Sequence, residues 1–177
     1  MDNNYVVYVV ISLIFSAFFS GIEIAYISAN KLQIELQKKQ GMWSGKVLSK
    51  FLARPGQFIG TTLIGNTIML VLYGTFMAYL LDEPLRNLFP ESINNEAVIL
   101  ISQTVLSTLL VLITGEFLPK SLFMLDPNRM LNFFALPFLI IYSVMYPIVW
   151  LIVALSKGFI TQVLRLKYNE EKPVFTI

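Results

Sequence analysis

The sequence predicts an all-α integral membrane protein with three transmembrane helices and further juxtamembrane or re-entrant helices that form a belt on the cytoplasmic side. Of its 177 residues 56% are hydrophobic and 14% are charged, and its mean hydropathy is +0.69. That is too little charge to cover the surface of a soluble domain. Four apolar stretches each approach the ~20 residues that a spanning helix needs. A transmembrane domain over residues 1–160 follows.

The first three apolar stretches are interpreted as spanning helices, over about residues 5–29, 58–81 and 97–118. The first of them lacks a basic start and an evident small-residue cleavage site. It is therefore interpreted as a retained helix and not as a signal peptide.

Residues 31–54 form a basic segment between the first two spans. Its apolar residues Val47, Leu48, Phe51 and Leu52 share one helical face, and Trp43 is a plausible interface anchor. This pattern predicts one or two amphipathic helices on the membrane surface, interrupted near Gly41 and Gly45 and ended by Pro55–Gly56. A solvated linker is the alternative. The basic residues are Lys31, Lys38, Lys39, Lys46, Lys50 and Arg54.

Charge predicts the orientation of the spans. The loop after the second span is acidic, and basic residues mark the cytoplasmic side. The N-terminus is therefore expected outside and the basic segment and C-terminus in the cytoplasm, in a multi-pass protein of the inner (plasma) membrane. The acidic residues of the loop are Asp82, Glu83, Glu91 and Glu96, against Arg86.

The fourth apolar stretch, residues 130–155, is predicted to be re-entrant or interfacial in preference to a fourth span. Spanning would place Lys157, Arg165 and Lys167 outside, against the positive-inside rule. Pro137 and Pro147 are also expected to break a single helix twice. Residues 161–177 are expected to form a cytoplasmic linker toward a soluble domain.

Composition excludes several functions. The chain has no Cys and no His, so disulfides, thiol or imidazole catalysis and Cys/His metal sites are absent. The aspartates Asp2, Asp82 and Asp126 lie outside the predicted spans, which removes an aspartyl dyad as well. We therefore expect no enzyme. A net charge of +2 predicts no nucleic-acid partner, and any bound metal must use oxygen ligands, which favours hard cations.

Polar residues recur in all three spans. Ser16, Ser20 and Glu23 share one face of the first helix. Ser20 and Asn66 lie eight or nine residues from the cytoplasmic ends of their spans, roughly 12–14 Å deep at ~1.5 Å per residue. The two side chains are thus expected at the same depth.

Pro119 in the third span is expected to leave a backbone carbonyl without its helical hydrogen bond. Because proline has no N–H, the carbonyl of Gly115 four residues earlier loses its helical partner, and the next residue is Glu116. With the hydroxyls of Ser16 and Ser20 and the Asn66 amide, five oxygens are available. Mg²⁺ prefers about six oxygens at ~2.1 Å, and Glu23, the Gly65 carbonyl or water are candidates for the sixth.

Each of these features also has a structural explanation. Serines in spanning helices often bond their own helix, as Ser20 would to the Ser16 carbonyl. Gly65 is explained by close helix packing and Asn66 by an interhelical hydrogen bond. Glu23 could pair with Lys120. The polar run of Ser102, Gln103, Thr104, Ser107 and Thr108 fits either an outward water path or a helix interface.

The motifs SGIEIAYIS, LIGNT and TGEFLPKS, in successive spans, resemble the transmembrane domain of the CorC, CorB and cyclin M magnesium transporters over nearly the whole chain. The resemblance implies a homodimer with three spans per subunit and a belt of juxtamembrane helices. It also implies a Mg²⁺ pocket, and Glu23, Gly65 and Thr67 are our candidates for additional residues of that pocket. Thr67 stands where a second asparagine is expected. The implied pocket residues are Ser16, Ser20, Asn66, Gly115 and Glu116.

The resemblance further implies Mg²⁺ efflux by alternating access, with inward Na⁺ proposed as the driving ion. Family members usually continue into paired cystathionine-β-synthase-type domains that bind nucleotide, so this chain looks like a membrane domain cut from a longer protein. Two alternatives stay open. One is a membrane sensor or assembly scaffold with a structural cation, as gliding-motility relatives suggest. The other is a Na⁺- or H⁺-coupled carrier with Glu23 as the coupling site.

Overall fold

The computed structural model of the chain describes residues 3–90 and 94–162, and all regular secondary structure in this part is helical. A π-helical segment, Leu112–Phe117, separates α5 from α6. Residues 161 and 162 of the predicted linker belong to the last helix, and the rest of the linker lies outside the described residues. Glu91 of the acidic loop also lies outside them, as do Arg165 and Lys167. The α-helices are α1 (Asn3–Ser28), α2 (Lys31–Lys39), α3 (Trp43–Leu52), α4 (Pro55–Leu88), α5 (Glu96–Val111), α6 (Leu118–Leu125) and α7 (Pro127–Gln162).

Four helical stretches are long and apolar enough to cross a membrane: Asn4–Ser28, Pro55–Leu88, Glu96–Leu125 and Pro127–Ser156. Many large apolar side chains on them are exposed, among them Val71 and Val144. A hydrocarbon solvent explains that exposure, which water would penalise. The chain is thus an all-helical membrane protein. Three spans with a belt remain our expectation for the arrangement.

The predicted double break of the fourth apolar stretch is wrong at the level of secondary structure. Helix α7 runs without interruption through Pro137 and Pro147. Each proline removes only one backbone donor, and the other hydrogen bonds of a long apolar helix hold the flanking turns together. The proline argument against a single fourth helix therefore fails, while the charge argument about its path through the bilayer is unaffected.

The basic segment contains two helices, α2 and α3. Gly41 lies between them with φ of +82°, a left-handed conformation that glycine adopts at little cost. This interruption was predicted, but the one expected at Gly45 was wrong, because Gly45 is buried inside α3. A Cβ on Gly45 would lie 2.5 Å from the Lys38 backbone nitrogen, so glycine permits α2 and α3 to pack closely. Pro55 begins α4, where its missing N–H costs nothing.

The chain divides into two compact units. The first comprises Met1–Gly21 and Gly65–Leu122, and so contains the N-terminal part of α1, most of α4, α5 and the π segment. Val9, Tyr73 and Met77 form its buried core, with Val111 and Leu13 packed against them.

The second unit comprises Ile22–Ile64 and Phe123–Ile177. Its core is aromatic. Tyr26 stacks on Phe58 with ring centroids 4.0 Å apart, and Phe58 lies 4.2 Å from Phe138. The buried Tyr26 hydroxyl donates a 3.0 Å hydrogen bond to the Phe51 carbonyl and thereby ties α3 to α1. This unit holds the two helices of the basic segment against α7.

Candidate cation site

Ser16 and Asn66 are in direct contact. The Ser16 hydroxyl, which is fully buried, donates a 2.7 Å hydrogen bond to Asn66 Oδ1. The bond joins α1 to α4, and it uses a side chain that most serines in helices direct to their own backbone. Two of the predicted site residues are therefore brought together, and two oxygen atoms lie side by side within the first unit.

Gly115 reaches the same place from the third chain segment. It is buried on the π segment, and a Cβ built on it would lie 3.3 Å from Ser16 Oγ. A Cβ there would also lie 3.0 Å from Val111 Cγ2, so a larger residue would be in tight contact on two sides and glycine favours the close approach. Stretches that are far apart in sequence converge on one point through Ser16, Asn66 and Gly115.

The backbone around Gly115 is wound more widely than an α-helix. Leu118 donates its N–H to the Ile113 carbonyl, five residues back. The simple α-helical register assumed from sequence is therefore wrong here. Pro119 follows directly, and without an N–H it donates neither to the Thr114 carbonyl in the π register nor to the Gly115 carbonyl in the α register. Such π turns often occur at functional sites.

Ser20 has a buried hydroxyl with no hydrogen-bond partner. Its side chain is 1% exposed, and its Oγ meets no donor or acceptor. A buried hydroxyl without a partner costs about 1–3 kcal/mol. Ser20 lies one turn after Ser16 on the same face of α1. An orphaned oxygen beside a cluster of oxygens fits a ligand that the protein alone does not supply.

Six other hydroxyls on the long helices behave differently from Ser16 and Ser20. They bond a carbonyl four residues back on their own helix, which is the ordinary solution in apolar surroundings. The structural explanation offered for Ser20, a bond to the Ser16 carbonyl, is thus not what the structure shows. The self-bonding hydroxyls include those of Ser12, Thr61, Thr75, Thr104, Thr114 and Ser143.

Glu116 follows Gly115 and is partly buried. Its carboxylate lies 3.9 Å from the Lys120 ammonium one turn later, and the two side chains are 33% and 43% exposed. A pair this long and this exposed is weak. Glu116 therefore keeps most of its capacity to bind another cation, and Lys120 is the group with which that cation competes.

The three additional candidates differ in position. Gly65 is buried, and a Cβ there would lie 2.4 Å from the Phe19 ring, so its close-packing role is supported. Thr67 is exposed on α4. Glu23 is partly buried on the part of α1 that belongs to the second unit.

A cleft of about 370 Å³ lies between α4 and α5, and Glu116 is the lining residue furthest along the chain. Sequence reasoning missed Tyr73, whose hydroxyl donates a 2.9 Å bond to the Ser107 carbonyl and joins the two helices. Its position in LIGNTIMLVLYG carries no signal beyond that of an interfacial aromatic. The cleft is lined by Leu70, Tyr73, Gly74, Ala78, Leu100, Gln103, Thr104, Ser107, Thr108, Val111 and Glu116.

Residues of the polar run on α5 contribute to a helix interface and to the wall of the cleft. Gln103 is buried, and its amide nitrogen lies 3.3 Å from both the Ala78 carbonyl and Asp82 Oδ1. It is a helix-interface residue. Gln103 also lines the cleft, together with Thr104, Ser107 and Thr108. The interpretation as a helix interface is confirmed for Gln103, and the outward water path stays a prediction.

The donor set is almost uncharged. In residues 3–90 and 94–162 no group of three acidic, His or Cys side chains is placed to hold a metal. What converges is the Ser16 hydroxyl, the Asn66 amide and Gly115 on a widened helix, while Ser20 lies one turn after Ser16 and Glu116 follows Gly115 in the chain. Hard cations such as Mg²⁺ accept these oxygen ligands, and few charges mean weak retention.

Comparison with known proteins gives consistent results. The sequence profile of the cyclin M transmembrane N-terminal domain matches residues 7–176. The chain is 30% identical over 145 residues to the UPF0053 inner membrane protein YfjD of Escherichia coli K12, covering 80% of this chain and 31% of that protein. A UPF0053 protein of Haemophilus influenzae Rd is 25% identical over 167 residues, covering 94% of this chain and 37% of that protein. The chain spans about a third of the length of these relatives.

The family is one of membrane transporters linked to Mg²⁺ and other divalent cations, and not a family of enzymes. The match covers nearly every described helix, including the three segments that carry the oxygen cluster. The resemblance seen in the motifs of the three spans is thereby confirmed, and the chain belongs to the cyclin M transmembrane domain family.

Proposed function

We propose that this chain binds Mg²⁺ within the membrane as a transported ion, with Ser16, Ser20, Asn66, Gly115 and Glu116 as its ligands. The observation that carries the proposal is the convergence of Ser16, Asn66 and Gly115 from separate chain segments. Hydroxyl, amide and backbone oxygens are the ligands that a hard cation accepts. An ion at this point would also give the orphaned Ser20 hydroxyl a partner.

The charge of the proposed site suits transport. Glu116 alone contributes a formal negative charge, and Lys120 lies 3.9 Å from it. A site that binds too tightly does not release its ion, so one carboxylate among neutral oxygens favours turnover over storage. The same reasoning disfavours a purely structural cation, for which several carboxylates are the usual solution.

The proposed mechanism is alternating access. The π segment before Pro119 is a helical irregularity in the region that carries two of the ligands, and such irregularities allow a helix to change its local winding. The cleft that extends from Glu116 along α5 toward Gln103 is the proposed outward route. Efflux, with inward Na⁺ as the driving ion, completes the proposal.

We further propose an inner (plasma) membrane location with the N-terminus outside and the C-terminus in the cytoplasm. Three helices would span, and α2, α3 and α7 would form the cytoplasmic belt of each subunit of a homodimer. The excess of lysine on α2 and α3 supports this orientation. Nucleotide would act only through domains outside this chain.

Mg²⁺-induced thermal stabilisation of the purified chain tests the binding site. Ser16→Ala, Asn66→Ala and Glu116→Gln should each weaken the stabilisation by roughly tenfold in Mg²⁺ concentration, since each removes an oxygen that contacts a charge. Ser12→Ala is the matched control. Ser12 is also buried on α1, one turn before Ser16, but it bonds the Tyr8 carbonyl. Equal effects of Ser12→Ala and Ser16→Ala would contradict the assignment.

Ion flux separates transport from the scaffold alternative. The chain reconstituted in liposomes with a Mg²⁺-sensitive dye should move Mg²⁺, and Asn66→Ala should stop the movement. A sensor or scaffold with a structural cation would show Mg²⁺-induced stabilisation without flux. Flux that requires a Na⁺ gradient would support the proposed coupling, and flux unaffected by collapse of that gradient would remove it.

A further inference from the structure

A second cavity lies in the second unit, between the basic segment and α7. It measures about 500 Å³, which is within the range of small-molecule sites. None of the residues of the proposed cation site lines this second cavity. Its wall combines apolar side chains with polar and basic ones, and none of the described residues that line it is acidic. The lining residues are Val47, Lys50, Phe51, Ala53, Arg54, Gln57, Leu139 and Tyr142.

Two cations border the cavity without an acidic partner. Lys50 and Arg54 are both exposed and stand four residues apart. Among the residues that the structure describes, neither forms an ion pair with a carboxylate. Elsewhere on the same segment Lys38 pairs with Glu35 at 3.3 Å. Unneutralised Arg and Lys at the mouth of a cavity favour an anionic ligand.

Arg54 is held in place by its backbone. Its N–H donates to the Phe51 carbonyl at 2.9 Å, and its carbonyl accepts from Gln57 and Phe58 at 3.1 and 3.4 Å. The guanidinium lies close to the Tyr142 hydroxyl. A fixed backbone reduces the entropy lost when the side chain binds a ligand.

Gln57 and Tyr142 form the polar part of the wall. The Tyr142 hydroxyl donates a 2.7 Å bond to Gln57 Oε1. Because the Gln57 oxygen is the acceptor, its amide nitrogen still has donors for a ligand. The wall thus offers donors from Arg54, Lys50 and Gln57 on the polar side. A phosphate group accepts from such donors, with arginine as its preferred partner.

The rest of the cavity is apolar, and the surrounding surface has the features of a membrane interface. Val47, Phe51 and Leu139 form the apolar wall. The exposed Leu32 and Leu36 on α2 and Trp43 on α3 stand among lysines. A free phosphate would gain nothing from these groups, whereas an amphiphile uses both kinds of wall.

We propose that this cavity binds the phosphate headgroup of an anionic phospholipid, with Arg54 and Lys50 on the phosphate and Val47 and Leu139 on the start of the acyl chains. The site would fasten the basic segment and α7 to the leaflet that carries negative lipid. The proposal does not depend on Mg²⁺ transport, because no residue is shared between the two sites.

The test is lipid binding to the purified full chain in a neutral detergent, followed by native mass spectrometry and by melting temperature. The titrants are phosphatidylglycerol, phosphatidylcholine and inorganic phosphate. Phosphatidylglycerol should bind the chain and raise its melting temperature, and phosphatidylcholine and inorganic phosphate should do neither. Stabilisation by phosphatidylcholine to the same extent would show a merely apolar cavity. Equal stabilisation by inorganic phosphate would show a site for a free anion.

Charge-matched variants locate the binding. The double variant Lys50→Gln/Arg54→Gln should weaken phosphatidylglycerol binding by roughly tenfold or more. Lys31→Gln/Lys39→Gln removes the same charge from α2, outside the cavity, and should leave most of the affinity. Equal losses in the two double variants would overturn the proposal.

Lys50→Gln alone guards against a folding defect. Lys50 is exposed and forms no ion pair within residues 3–90 and 94–162, so this variant should melt like the wild type without lipid. It should still show part of the loss in lipid affinity. Unchanged affinity in a folded Lys50→Gln would exclude Lys50 from the site.

Discussion

The Ser16 hydroxyl donates a 2.7 Å hydrogen bond to Asn66 Oδ1 across 50 positions of the chain. Both atoms are oxygens, and only one proton lies between them. An arriving cation would accept both as ligands if the hydroxyl turned its proton away. The contact therefore holds the two oxygens close together before any ion binds, which lowers the entropy cost of assembling a site.

Asn66→Asp should bind Mg²⁺ more tightly and transport it more slowly. The substitution keeps the shape and the acceptor for Ser16 but adds a negative charge next to the ion. Even at an effective dielectric of about 20 an added charge at contact distance is worth more than 1.4 kcal/mol, so affinity should rise roughly tenfold or more. Isothermal titration and liposome flux measure the two effects.

Asn66→Leu is the control for this pair of measurements. It has similar volume and no oxygen, so it should lose both binding and flux. If Asn66→Asp left the Mg²⁺ affinity unchanged, and Asn66→Leu lowered the melting temperature but kept Mg²⁺ binding, Asn66 would serve only to join two helices and would not be a ligand.

Lys120→Gln should strengthen Mg²⁺ binding. The Lys120 ammonium lies 3.9 Å from the Glu116 carboxylate and competes with any cation there. Removing an exposed partner worth about 0.2–1 kcal/mol should improve affinity by up to roughly fivefold. The concentration of Mg²⁺ that gives half-maximal thermal stabilisation measures this.

Lys39→Gln serves as the control for the Lys120 variant. It removes one exposed positive charge from α2 in the second unit. A similar gain in that variant would mean that overall charge sets the affinity, and it would count against direct competition at Glu116.

Gly65→Ala should destabilise the fold. The new Cβ would lie 2.4 Å from the ring of Phe19, which is 2% exposed and has little room to move. Overpacking of this kind typically costs about 1–3 kcal/mol. The melting temperature in detergent should fall, and Phe19→Leu in the same chain should restore part of the loss.

Gly74→Ala is the matched substitution on the same helix. A Cβ there would meet nothing within 4 Å, and alanine is the better helix former by up to about 1 kcal/mol. The melting temperature should stay level or rise. A fall as large as that of Gly65→Ala would point to a general intolerance of α4 and not to the Phe19 contact.

The helices were predictable because hydrophobic runs of this length have few alternatives in a membrane protein. The interruption at Gly41 was predictable from local sequence, since a left-handed residue between two helical segments favours glycine. The continuity of α7 was not predictable. Two prolines break a helix only where their cost exceeds the stabilisation that its remaining hydrogen bonds provide. Local sequence does not contain that balance.

The contact of Ser16 with Asn66 could be predicted only as a shared depth. Depth follows from counting residues, whereas the facing of two helices depends on the packing of all their side chains. The π winding before Pro119 was missed because proline specifies a missing donor but not how the chain upstream adjusts. The absence of a hydrogen-bond partner for the Ser20 hydroxyl could not be predicted either, since a bond to the Ser16 carbonyl is equally compatible with the sequence.

Single cysteines should decide the path of α7. The chain has no cysteine, so one introduced thiol is the only target for a membrane-impermeant maleimide. Lys39→Cys on α2, Glu83→Cys near the end of α4 and Ser156→Cys on α7 all replace exposed residues. If α7 enters and leaves on one side, Lys39→Cys and Ser156→Cys should both be labelled only from the cytoplasm and Glu83→Cys only from outside. Labelling of Ser156→Cys from the side of Glu83→Cys would instead make α7 a fourth span and place the C-terminus outside.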